Sequence, residues 1–238
     1  MGYRERFYEY QTICRGSLEP KQLIGKFDRM ASYYKSRIGK YLPEDRFVSI
    51  VDVPCGYGNF LYFLNKLGYK NFSGYDLDPN QVRLAQSIGL PAFEKNIFDV
   101  FKSEKKYDVI SSLDFLEHLS KDDALKFLDD CYKSLKTGGT LILRTPCADG
   151  FFGAHDASND ITHDWNMSSN MMKSILEMCG YKSIEILEER PQPENLIQII
   201  RWLLYWPARW LFNLLCILLA LRPPKVLSRS MIIVAHKE

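Results

Sequence analysis

The sequence predicts an α/β domain: a doubly wound, mostly parallel sheet with an apolar helical insertion just before its last strand. Three observations predict it. Between residues 49 and 187, short β-branched or aromatic runs alternate with helical patterns, and Gly, Pro, Asp or Asn stands at each junction. Alternation of this kind makes a parallel sheet covered by helices on both faces. The rhythm then stops. Residues 191–228 open on Pro191-Gln192-Pro193, are apolar through 196–221 and close on Pro223-Pro224, after which 230–235 reads as one more strand.

In order, strands are predicted at 49–53, 71–75, 92–95, 107–111, 140–145 and 183–187, and helices at 60–67, 80–88, 121–135 and 168–179. The third helix has a start signal in Ser120 followed by Asp122 and Asp123, and a stop signal in Gly138-Gly139. Residues 1–46, rich in Tyr and Arg, read as one or two leading helices. The chain therefore divides into a leading segment (1–46), the sheet core (47–190), the insertion (191–229) and a returning strand (230–238).

The 238 residues are 46% hydrophobic and 25% charged, enough for one large core, which excludes a disordered or fibrous chain. A net charge of only +2 argues against a nucleic-acid binder that works by bulk electrostatics. That average hides an asymmetry. Residues 190–230 carry six cations (Arg190, Arg201, Arg209, Arg222, Lys225, Arg229) against the single acid Glu194, a local +5, and the remainder is −3. The six cysteines are scattered without a CxxC pair, which points to a reducing, cytoplasmic setting. The first residues carry charges where a signal peptide needs its apolar stretch, and Arg6 breaks the myristoylation pattern.

The first strand runs through Asp52 into a turn holding Cys55, Gly56 and Gly58, and then into a helix. A glycine turn lets a ligand approach the backbone, and the helix start offers free N–H groups to an anion. The second strand ends in Asp76, 24 residues after Asp52, where such folds place a carboxylate beside ribose hydroxyls.

On these residues the chain resembles the class I methyltransferases that use S-adenosylmethionine, which implies a Rossmann-like, seven-stranded sheet. Asp52, Cys55, Gly56 and Gly58 match the family's loop around the methionine end of the cofactor. Asp76 matches the ribose-binding acid and Leu77 its apolar neighbour against adenine. Asn96 and Ile97 fall where the family contacts the adenine amino group, and Leu113, within the fourth-strand signature of residues 107–119, is a further cofactor-binding position that the resemblance implies. Pro54 departs from the pattern, since it replaces the loop's first glycine and has no N–H to donate.

Methyl transfer from a sulfonium is an in-line displacement, so the protein aligns the acceptor and, for an alcohol, removes its proton. The polar stretch after the fifth strand, at the carboxyl end of the sheet, holds the candidates. His163 is the expected general base, with Asp164 or Asp160 orienting its ring. His155 and His118 are the next candidates. Four acids within 149–164 would offer a divalent metal oxygen ligands, but no fixed ligand spacing supports one, and no metal is expected. Tyr33, Tyr34 and Arg37 either close over the cofactor or form an ordinary packing face.

Residues 196–221 are too interrupted to cross a bilayer: Arg201 and Arg209 intervene and Pro207 kinks the run. At 100° per residue, Gln198, Arg201, Tyr205, Arg209 and Asn213 share a stripe of about 120°, and the remaining arc is apolar with Trp202, Trp206 and Trp210. Such a helix is expected to lie in the headgroup plane of an anionic membrane surface, with its arginines on the lipid. An extra layer on the sheet, or a homodimer interface, is the other use for it. His163-Asp164, residues 201–204 and residues 227–231 resemble methyltransferases of bacterial cell-surface glycan and lipopolysaccharide synthesis. That resemblance implies O-methylation of a sugar hydroxyl on a lipid-linked glycan, by an enzyme peripheral on the inner face of the plasma membrane. An isoprenoid-quinone O-methyltransferase is the alternative, and a non-catalytic, cofactor-binding, membrane-tethered subunit is the alternative of another class.

Overall fold

A computed structural model describes Gly2, Arg6, residues 20–150, Gly153, 160–190 and 196–238. Seven strands form one sheet: β1 (Ile50–Asp52), β2 (Phe72–Asp76), β3 (Ala92–Glu94), β4 (Tyr107–Leu113), β5 (Leu135–Pro146), β6 (Lys182–Glu188) and β7 (Ser230–His236). Their spatial order is β3-β2-β1-β4-β5-β7-β6. The first five are parallel, while β7 runs antiparallel between β5 and β6. This is the Rossmann-like arrangement that the sequence implies. Its order reverses at β1, and the crevice beyond the carboxyl ends of the strands there is where ligands bind in open α/β sheets.

The helices are α1 (Pro20–Arg37), α2 (Asn59–Lys66), α3 (Pro79–Ser87), the single turn α4 (Ile97–Val100), α5 (Lys121–Ser134), α6 (Ser169–Met178) and α7 (Leu196–Leu218). Side-chain caps fix most of their starts. Asp78 accepts from the Asn80 N–H, Asn96 from Phe98, Ser120 from Asp123 and Ser168 from Met171. One side of the sheet packs Val51, Ile110, Leu141 and Ile233 against Phe127 and Leu128 of α5 and Met172 and Leu176 of α6. The other packs Ile50, Val109, Ile142 and Val234 against Tyr34 of α1 and Phe60 and Phe63 of α2.

Two differences from the sequence reading have physical causes. The Gly138-Gly139 pair does not stop α5. That helix ends at Ser134, and the pair lies inside β5, where Gly138 takes φ +76° and exchanges backbone hydrogen bonds with Lys237 through Gly138 N and Gly139 O, at 2.7 and 3.0 Å. Two glycines thus let the end of β7 bond to a bent strand. The second difference concerns the polar stripe of α7, which at Tyr205, Arg209 and Asn213 faces the domain, while Arg201 stays exposed. Arg209 donates to Glu188 (2.7 Å) and to the carbonyls of Lys225 (2.9 Å) and Pro224 (3.3 Å), Tyr205 donates to the same Glu188 carboxylate, and Cys216 is buried. Arg209 therefore has its anion in the protein. The apolar residues point outward instead, with Leu196 72% and Leu218 73% exposed. No helix among the described residues is long and apolar enough to cross a membrane.

Candidate active site

At the carboxyl end of β1 the chain turns through a cis Val53–Pro54 peptide into the glycine loop. Gly58 begins α2 at φ +90°, and a Cβ there would lie 2.7 Å from Leu90 Cδ1. Only glycine accommodates both the angle and the closeness. Asp76, at the end of β2, accepts the Gly56 N–H (2.7 Å) with one carboxylate oxygen and the Asp78 N–H (2.9 Å) with the other. It therefore clamps the first loop to the second. Burial pushes its pKa up, against those two bonds. Asp52 is buried, its carboxylate accepts from Ser111 Oγ at 2.6 Å, and burial pushes its pKa up to about 8.

Cys55 is buried in the packing beneath the loop, with its N–H on the Tyr75 carbonyl at 2.9 Å. Leu77 lies open beside the crevice at 64% exposure, an apolar surface on which a flat base would rest. Asn96 uses its carbonyl oxygen to cap α4, and Ile97 is buried behind it. Leu113 ends β4 and packs against the α1 and α2 side of the core. Asn59 Oδ1 at the start of α2 and Ser112 Oγ near the end of β4 are buried without a hydrogen-bond partner. Buried polar atoms of that kind await a ligand's polar groups or water.

Beyond β4, a turn at Leu116–His118 meets the segment 160–165. The Asp164 N–H donates to the Glu117 carbonyl (2.8 Å) and the Trp165 indole to the Leu116 carbonyl (3.1 Å), which pins the two together. His118 and His163 meet ring to ring, centroids 4.8 Å apart and tilted by 61°. Thr162 Oγ1 donates to Asp160 Oδ1 (2.6 Å) and lies 2.8 Å from His118 Nδ1. With its one proton on the carboxylate, the hydroxyl accepts from the ring, so Nδ1 carries the hydrogen and the lone pair is on Nε2. Asp160 thus acts on His118 through Thr162, where the sequence reading has Asp160 or Asp164 orienting His163. Glu117, 2% exposed, accepts from Thr145 Oγ1 (3.0 Å), and burial pushes its pKa up to about 8. Asp149 accepts from the N–H and hydroxyl of Ser169 and so holds the start of α6. His155 lies outside the described residues.

A second polar group closes the rim. Asp114, directly after β4 at φ +56°, forms a two-pronged ion pair with Arg144 of β5. Arg144 Nε also reaches Glu189 (2.7 Å) and the Tyr33 hydroxyl (3.1 Å), and Tyr33 donates to Glu189. Arg37 donates to the Arg190 carbonyl, and Tyr34 is buried against Phe60 and Phe63. Of the leading segment's three candidates, Tyr34 is core, while Tyr33 and Arg37 fasten α1 to the strand ends.

A protein-family model described as a methyltransferase domain matches residues 23–208, most of the chain. The chain belongs to that family. It is a class I, S-adenosylmethionine-dependent methyltransferase domain, and S-adenosylmethionine is its methyl donor. A methyltransferase from Archaeoglobus fulgidus, described as dependent on S-adenosylmethionine, has the same fold at TM-score 0.66 and 19% identity, covering 97% of this chain and 99% of that one. One from Mesorhizobium loti gives 0.62 at 16% identity, covering 89% and 100%. Among curated proteins, the mitochondrial ubiquinone biosynthesis O-methyltransferase of Dictyostelium discoideum is 24% identical over 155 residues, 55% of this chain and 47% of that protein. The sphingolipid C9-methyltransferase of Candida albicans is 29% identical over 107 residues, 40% of this chain and 21% of that protein. The methyltransferase domain thus matches about half the length of the first relative and a fifth of the second.

The sequence named Asp52, Asp76 and His163 but not the groups that position them. Ser111, Thr145, Thr162 and Arg144 come from other strands and loops, and only the Leu116-Glu117-His118-Leu119 stretch put Glu117 beside a candidate histidine.

Proposed function

We propose that this domain transfers the methyl group of S-adenosylmethionine to a sugar hydroxyl of a lipid-linked glycan at the inner face of the membrane. The donor supplies an electrophilic methyl carbon on a sulfonium. Asp76 would take the ribose hydroxyls, Leu77 the adenine face and Asn96 and Ile97 its edge. Asp52, Cys55, Gly56, Gly58 and Leu113 would surround the methionine end. The acceptor's proton leaves at the cluster of His163, His118 and Glu117, where His163 is the expected acceptor and Asp164 holds the segment in place through its N–H.

The observation that carries the lipid-linked substrate is the outward face of α7. Its exposed apolar residues, from Trp202 at one margin through Trp206, Trp210, Leu203, Leu196, Leu214, Ile200 and Leu211 to Ile197 at the other, cover about 220° of the helix at 100° per residue. A second helix covers one stripe of roughly 100°. A lipid layer covers the whole arc, with the tryptophans at its boundary. The helix is fixed through Glu188 at the carboxyl end of β6, the same sheet edge as Asp114, so acceptors in the membrane reach the site's own rim. A second reading, an isoprenoid quinol as acceptor, is favoured by the likeness to the ubiquinone O-methyltransferase.

Incubation with methyl-labelled S-adenosylmethionine and membrane lipid extract, followed by mass analysis, decides between them. A methylated sugar on a lipid carrier is the expected product. A labelled quinone would establish the second reading, and no lipid product would sink both. The membrane contact is tested by vesicle flotation. Leu203→Glu with Leu214→Glu, both solvent-facing, should abolish flotation of a folded protein, and unchanged flotation would refute it.

A further inference from the structure

We propose that Glu117, His118 and His163 bind a divalent first-row transition-metal ion of the Zn2+ type, which holds the acceptor hydroxyl and lowers its pKa. The inference deepens the function proposed above and rests on its choice of an oxygen acceptor. One carboxylate oxygen and one ring nitrogen from each histidine all lie within 4.8 Å of one another. Neighbouring ligands of a tetrahedral ion with bonds near 2.1 Å stand about 3.3 Å apart. Binding therefore requires the three side chains to draw in by roughly an ångström, a rotamer adjustment and not a refolding. Two imidazoles and one carboxylate favour ions of the zinc, iron or cobalt kind over magnesium or calcium, which prefer an all-oxygen shell. Three protein ligands leave a position for substrate.

The groups behind these ligands are what a metal site needs. His118 gives its Nδ1 hydrogen to Thr162 Oγ1, which is itself bonded to Asp160, so the ring's orientation and tautomer are set by a second hydrogen-bonded group, as they are for a metal-ligating histidine. Thr145 holds one oxygen of Glu117. The hydrogen bonds from the Asp164 N–H and the Trp165 indole to backbone carbonyls keep the segment bearing His163 against the turn bearing the other two ligands. With an ion bound, His163 is a ligand in place of a proton acceptor, and the ion does the work of the base. The proton of the held hydroxyl passes to solvent as the O–CH3 bond forms, and the electron pair of the breaking S–CH3 bond stays on sulfur, so no oxidant or reductant is required.

The test uses the full chain, purified without chelator and free of any histidine tag. Elemental analysis and titration with ZnCl2 should show one ion per chain, and Co2+ in its place should give visible d–d bands. His163→Ala, at a partly exposed position, and Glu117→Gln should each weaken ion binding at least tenfold, whereas His236→Ala, at the far end of β7, should leave it unchanged. Should Glu117→Gln fail to fold, His163→Ala alone decides. A wild-type protein that takes up no ion, or variants that bind it undiminished, would overturn the site. Turnover that survives chelation with no ion detectable would do the same, while leaving the proposed methyl transfer intact. An ion bound as described, with no lipid acceptor methylated, would sink the proposed substrate and leave the site standing.

Discussion

Glu188 and Glu189 are consecutive residues at the end of β6, and they hold opposite things: Glu188 anchors the apolar helix through Arg209 and Tyr205, while Glu189 anchors the rim of the site through Arg144 and Tyr33. In extended chain, neighbouring side chains point to opposite faces. One turn of the backbone therefore fastens the outer helix on one side and the mouth of the crevice on the other.

Removal of Glu188 should be costly. Its side chain is 3% exposed and accepts from Arg209, Tyr205 and the Leu227 N–H. Glu188→Ala leaves a largely buried guanidinium without its anion, for which a loss of about 3 kcal/mol in unfolding free energy is expected. Urea denaturation followed by tryptophan fluorescence measures it. A loss below about 1 kcal/mol would show that α7 is held by apolar contact alone.

Asp76→Ala should weaken S-adenosylmethionine binding by about tenfold to a hundredfold, the worth of hydrogen bonds to a charged group. It should also loosen the glycine loop, because the Gly56 N–H loses its acceptor. Calorimetric titration reads the first effect and amide hydrogen exchange at Gly56 the second. Unchanged affinity would remove Asp76 from the site.

Gly58→Ala combines a φ of +90° with a Cβ placed 2.7 Å from Leu90 Cδ1, a side-chain tip that can yield only in part. A destabilisation of about 1–3 kcal/mol is expected, with reduced cofactor affinity. A thermal melt with and without S-adenosylmethionine separates the two.

Stability from the buried carboxyls should fall on both sides of about pH 4, for opposite reasons. Burial raises Asp52 to about 8, as it does Glu117, so the folded chain binds more protons than the unfolded one between the ordinary carboxyl range and pH 8. Stability from these groups is present below about pH 4 and is lost as pH rises toward 8. Glu188 is the reverse. Although burial pushes it up, Tyr205, the Leu227 N–H, Arg190 and Arg209 hold it below its usual value, so its contribution is lost as pH falls through the acid range. Asp52→Asn should flatten the decline of melting temperature between about pH 4 and 8 and leave the loss at lower pH unchanged. An unaltered decline over that range would exclude Asp52 as its source.

The strands and helices of the core were legible because each is a local pattern. Period-two runs ending in Asp52 and Asp76, and caps such as Asp78 and Ser120, lie within a few residues of what they control. The exception within the core was β5, where Gly138-Gly139 reads locally as a stop and is overruled by bonding to Lys237, a partner about a hundred residues away. The same limit applies at the site. His163 stood out by residue type, but Thr162 is informative only beside His118, and Arg144 only beside Asp114 and Glu189. The stripe on α7 was legible and its direction was not, since periodicity shows which residues share a face and says nothing about which way that face turns. Glu188 decides that.

Glu188 pairs with Met231 across β6 and β7, so everything between them is, in topology, the loop of a single hairpin. A short turn could close the same two strands. The apolar helix can therefore be lengthened, exchanged or lost without changing strand order, and whatever its outer face meets can evolve independently of the methyl transfer at the crevice.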